Sequence, residues 1–134
     1  MEIRATKAEI KAAEHVDAAD TTQTVPLFRI PPEAYIIFCG ARVTTAFAGV
    51  TLPEVSVGES TDVDSYIKKQ PINVTGDLKA GAVAKSIGYC ESLGVGGMVK
   101  TEATRSVQAT FTSSSGNLSS LSAGEIEFVI VYIY

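Results

Sequence analysis

The closing stretch EIEFVIVYIY, Glu125 to Tyr134, constrains this chain more than any other. A strand sends successive side chains to opposite faces. One set here is Ile126, Phe128, Ile130, Tyr132 and Tyr134, and the other is Glu125, Glu127, Val129, Val131 and Ile133. A strand with one wet face alternates apolar and polar residues. This one begins that way and then turns apolar on both sides. A cover is therefore required for Val129, Val131 and Ile133, supplied by another part of the chain or by another chain.

The chain from Thr21 onward also reads as β. TQTVPLFRI is a short strand whose Pro26 points to an edge or a bulge, and Pro31-Pro32 then break the ladder. AYIIFCGARVTTAFAG is β-branched and aromatic, one long strand or two joined at Gly40. LPEVSVG is a strand closing on Gly58, and GESTDVDSYI reads as a polar connection. PINVTGDL, AVAKSIGYC and MVKTEATRSVQATFTSS complete the set. In the last of these, Val107, Ala109 and Phe111 alternate with Ser106, Gln108 and Thr110. Gly- and Ser-rich turns (AGV, VTGD, LGVGG, SSGN, SAGE) separate the segments. Roughly seven or eight short strands, with no convincing interior helix, predict an antiparallel sandwich or small barrel rather than a βαβ fold.

At 134 residues the chain is one domain with room for a core. Residues 1–20 differ from the rest. They are Ala-rich and charged, and Ile3, Ile10 and Val16 are too sparse for a wide apolar stripe. They are expected to form an N-terminal arm or tail: a frayed end, a short surface helix, or an arm that orders on a neighbour. Residues 21–134 are then the single β-sandwich domain.

The chemistry-bearing residues do not assemble into an active site. The single histidine, His15, lies in the charged leader and reads as a solvated surface residue, and no G-x-S-x-G elbow accompanies it. GVGG at residues 94–97 lacks the third glycine and following helix of a dinucleotide fingerprint, so a turn or bulge is expected. Asp62 and Asp64, near Glu59, suggest a calcium loop. Tyr66 stands where a third ligand would be needed, no glycine provides the bend, and Lys68 and Lys69 oppose a cation. An Asp-rich turn explains the same residues. Cys39 and Cys90 read as buried free thiols, with a disulfide between them as the other reading. The sequon Asn73-Val74-Thr75 matters only in a secreted protein. A trimeric nucleotide hydrolase of similar size would need a catalytic Asp in a glycine-rich turn and an Arg-rich phosphate grip, and neither is found. The expectation is a non-enzyme with no cofactor and no metal.

The net charge of -4 and the lack of a Lys/Arg cluster argue against nucleic acid as a direct partner. No apolar run approaches the ~20 residues of a membrane helix, and MEIRATKAEIKAAEH has no apolar signal region. Synthesis and folding in a cytoplasm, with no membrane partner, are expected.

One stretch carries a resemblance: TVPLFRIPPEAYIIFCGARVTTAFAGVTLPEVSVGESTDVDSYI, in the middle third of the chain. It resembles a pattern in small structural proteins of tailed bacteriophages. The matching residues are Ile30-Pro31, Thr45-Ala46-Phe47, Gly58 and Asp62 to Tyr66, while Pro32 replaces the pattern's usual glycine. The resemblance is greatest to capsid decoration (cement) proteins. It implies a jelly-roll-like β-sandwich at the capsid surface of a virion, made in the host cytoplasm. It also implies a homodimer or homotrimer that bridges and stabilises major capsid protein subunits. A receptor- or glycan-binding domain of a tail fibre or baseplate is the alternative, although such a domain commonly follows a stalk that this chain lacks. The uncovered strand face fits an assembly role. Val129, Val131 and Ile133 are expected to meet a neighbouring subunit in a symmetric homo-oligomer.

Overall fold

The computed structural model describes residues 2–78, 99–100 and 104–134. Its strands, in chain order, are β1 (Ile3–Lys11), β2 (Thr22–Ile30), β3 (Tyr35–Ala48), β4 (Glu54–Glu59) and β5 (Asp62–Pro71). They continue with β6 (Gly76–Asp77), β7 (Val99–Lys100), β8 (Arg105–Thr112) and β9 (Ala123–Ile133). One short helix, α1 (Ala12–His15), follows β1. Two antiparallel sheets result. The first runs β1-β9-β3-β6, with β7 also on β3, and the second runs β2-β8-β4-β5. The chain crosses from sheet to sheet at most connections, and its last strand lies between its first and third. That winding is a jelly roll, so the all-β sandwich expected from the sequence is the fold found.

The core is what alternation builds. Ile126, Phe128, Ile130 and Tyr132 of β9 face Val107, Ala109 and Phe111 of β8 across the sandwich, and all are buried. Phe111 ties the sheets together. Its ring centroid lies 5.9 Å from Phe47 of β3 and 6.4 Å, edge-on, from Phe128. Gly124, at φ 149°, opens β9 where a side chain would collide with the Phe47 ring. The 14-residue β3 is continuous through Gly40, with a bulge between Ile36 and Phe38.

Three local expectations are corrected. The leader is neither a frayed tail nor a surface helix: residues 3–11 form an edge strand paired with β9 along its whole length. Ile10, Ala12 and Val16 are buried, and Gln23 of β2 clamps the turn that follows. The Gln23 amide donates to the His15 carbonyl (2.8 Å), and its oxygen accepts from the backbone N–H groups of Asp17 and Ala18 (2.9 Å each). Secondly, the polar stretch from Asp62 is strand β5, turning directly out of β4 with Glu59 opposite Asp62. Ser65, Tyr66 and Ile67 are buried in succession because irregularities in the β4–β5 ladder break the alternation. Thirdly, PINVTGDL contributes only the end of β5 and the two-residue β6. The strand expected over residues 82–90, Cys90 and the GVGG turn lie outside the described residues.

Candidate functional site

The outward face of the first sheet holds the residues that sequence reasoning singled out. β9 is its central strand, so Val129, Val131 and Ile133 alternate away from the core and are half-buried beside their neighbours. Register places Ile133 between Ile3 of β1 and Tyr35 of β3, Val131 between Ala5 and Phe38, and Val129 between Lys7 and Gly40. A Cβ on Gly40 would strike the Phe38 ring, so that ring lies back over the glycine and extends the apolar surface towards Val129. Ile3 is 72% exposed. Here one end of a sheet face is apolar and lies open among the described residues. On the opposite side of β1 and β9, Tyr134, 51% exposed, carries the Arg4 guanidinium 5.8 Å from its ring centroid and is not part of this face.

The other end of the same face is charged. A row runs across four strands: Asp77, Arg42, Glu127 and Glu9. Arg42 Nε donates to Asp77 Oδ1 at 2.7 Å, and this pairing raises the arginine's pKa. Glu127 and Glu9 stand directly opposite each other, an unfavourable cross-strand pair. Lys7 bridges them, 3.0 Å from Glu9 and 3.5 Å from Glu127, and its ammonium pKa is raised, first by the Glu9 hydrogen bond.

The remaining candidates do not join this face. His15, on the surface and half-buried, accepts the Lys11 backbone N–H on Nδ1 at 2.9 Å in an exposed hydrogen bond. Cys39 is buried, packed in the core beside Ile130 in register. Asp62 and Asp64 share a hydrogen bond that raises the Asp62 carboxyl and lowers that of Asp64, and Lys68 lies 3.2 Å from Asp64. Among the described residues, no three His, Cys, Asp or Glu side chains converge as a metal site would need.

One cluster was missed by sequence reasoning. The Tyr66 hydroxyl donates to Glu59 Oε2 at 2.8 Å, and Arg105 Nη1 donates to the same oxygen at 3.0 Å. Burial pushes the Tyr66 phenol far up, so it stays protonated and remains the donor. The three side chains lock the β4–β5 hairpin to β8. That accounts for the Asp62-to-Tyr66 pattern as a structural tie. Alternation carries no signal for such a contact between residues 39 and 46 positions apart.

No family model and no curated protein matches the chain. Solved structures do. The chain is similar to one in the cyanophage Pam1 capsid asymmetric unit, at 12% identity and TM-score 0.61, over 97% of this chain and 83% of that one. It is also similar to one in the acidic stable capsid structure of Helicobacter pylori bacteriophage KHP30. There the identity is 13% and the TM-score 0.55, over 98% of this chain and 87% of that one. This is a fold found in phage capsid structures. The likeness spans nearly the whole chain, leader included.

Proposed function

We propose that the chain is a virion structural protein that decorates and stabilises a tailed-phage capsid. It bridges major capsid subunits and acts as a homo-oligomer, with no catalytic role. The observation that carries this reading is the fold shared, end to end, with chains of two phage capsid structures. The apolar end of the first sheet supports it. Val129, Val131 and Ile133 are the interface residues, and a neighbour that covers them would remove from water a surface that a stable fold does not require.

The test uses capsids lacking this protein, to which purified wild type or Val131→Asp is added. Wild type is expected to bind at a fixed number of copies per particle and to raise the temperature at which capsids break. Val131→Asp, whose site faces outward, is expected to fold and to bind at least tenfold more weakly, since burying an unpaired carboxylate costs several kcal/mol. Wild type that binds no capsid would overturn the reading. Equal binding by a folded Val131→Asp would remove these three residues from the interface.

A further inference from the structure

The sandwich has edges, and they are unequally guarded. An open edge strand displays unpaired N–H and C=O groups that template another strand. On the second sheet, β2 carries Pro26 and a bulge between Pro26 and Phe28, and β5 pairs irregularly and ends in Pro71. Edge strand β1 has neither device. It is nine residues long, contains no proline, and keeps one register from Ile3 to Lys11.

The open groups can be assigned. Glu2 and Tyr134 exchange both backbone hydrogen bonds, at 2.8 and 2.9 Å. In an antiparallel ladder, hydrogen-bonded pairs alternate with non-bonded ones. Arg4, Thr6, Ala8 and Ile10 therefore bond inward to β9, and the backbone groups of Ile3, Ala5, Lys7 and Glu9 point to an edge that is open among the described residues. Lys11 follows the same parity, and its outward N–H is the one capped by His15. Arg4 and Thr6 are exposed although they lie on the side of Tyr132 and Ile130, so β1 overhangs the core as well.

We infer that β1 is the pairing edge for a second copy of this chain, joined antiparallel about a two-fold axis at Ala8. This rests on the homo-oligomeric part of the function proposed above. Charge selects the partner and the register. The row Asp77, Arg42, Glu127, Glu9 ends at the edge on two adjacent carboxylates. Pairing about Ala8 sets Lys7 of the second copy directly opposite Glu9, and Glu9 of the second copy opposite Lys7. Pairing about Lys7 or Glu9 would instead oppose like charges, and pairing about Thr6 would leave both residues without an opposite charge. The first sheets of the two copies become one continuous sheet, and Lys11, whose N–H is already occupied, falls opposite Ala5 at the margin.

Two measurements on the full chain test this. Ala8→Cys puts two thiols face to face at a non-hydrogen-bonded pair, where Cα atoms are about 4.5 Å apart and a disulfide can form. On mild oxidation it is expected to give a covalent dimer, whereas Ala5→Cys and wild type, oxidised alongside, do not. By sedimentation, Lys7→Glu is expected to weaken dimerisation on the order of tenfold to thirtyfold. Adding Glu9→Lys to it is expected to restore dimerisation, and both variants are expected to keep the wild-type fold by circular dichroism. No Ala8→Cys dimer, together with a Lys7→Glu variant that sediments as wild type, overturns the pairing. A cysteine at position 8 that cross-links only to a capsid subunit on particles also overturns it, giving the edge to another protein while leaving the decoration reading intact. Dimers that pass both tests but bind no capsid uphold the pairing and defeat the decoration reading.

Discussion

The two outward faces of the sandwich solve the same problem differently. On the second sheet, β8 presents Gln108, Thr110 and Thr112, flanked in register by Thr22 and Thr24 of β2 and by Glu54 and Ser56 of β4. On the first, β9 presents Val129, Val131 and Ile133. Threonine and valine have nearly the same shape, and both favour strands through branching at Cβ. Strand formation therefore does not require valine on an outward face, because the second sheet manages with threonine. The apolar choice on the first sheet needs another cause, and the partner surface proposed above would supply one. Hydrophobic burial is non-directional, so under the proposed function such a face would mark where contact occurs, and the charged row beside it would set orientation.

The largest effect that would break this comparison comes from stripping the first sheet of its edge. Deleting residues 1–20 removes β1 and the buried Ile10, Ala12 and Val16. Ile10 and Val16 alone stabilise by about 1.5–3 kcal/mol each. A thermal melt should show a fall on the order of 10–20 °C, with the second sheet's own strands untouched by the deletion. A truncated protein that melts like wild type would return the leader to the status of a tail.

A reciprocal exchange sharpens the contrast. Val131→Thr keeps the strand but makes the first face resemble the second, and should weaken attachment to capsids several-fold. Thr110→Val makes the opposite change. Thr110 Oγ1 is buried with no hydrogen-bond partner among the described residues, so losing it should leave the melt unchanged or slightly raised, and capsid attachment as before. Equal loss of attachment from both would mean that both faces are used. The smallest effect is expected from Arg42→Ala. The Arg42–Asp77 pair is largely solvent-exposed, at 65% and 70%, and its loss should fall within the scatter of replicate melts.

The contrast also explains what could be read in advance. The strands of the core announced themselves, because Val107, Ala109 and Phe111 alternate cleanly, as do Ile126, Phe128 and Ile130. The excess apolar face of β9 was equally plain, although the sequence does not say what covers it. The leader misled because Ala, Lys and Glu favour helices. Yet its alternation was present: Lys7, Glu9 and Lys11 point outward, and Ala8 and Ile10 inward. Pairing with β9 overrode local propensity. β5 hid for the opposite reason, since Ser65, Tyr66 and Ile67 are buried without alternating. The Gln23 clamp and the Glu59–Tyr66–Arg105 tie had no local signature, because each depends on chain segments that meet only in the folded protein.

The position of β9 between β1 and β3 governs the order in which the protein can form. Among the described residues β1 has no other strand neighbour in its own sheet, and β9 leaves the ribosome after every strand it joins. The second sheet can zip as soon as β8 appears, while β1 waits for the whole intervening chain with its edge groups unpaired. Pairings of such long sequence separation close slowly, on the millisecond-to-second scale. During that interval the nascent leader offers an open strand to any chain nearby, and polysomes crowd identical chains together. A charge pattern that admits a second copy in one register would then bias early encounters towards the proposed dimer rather than towards disordered stacking.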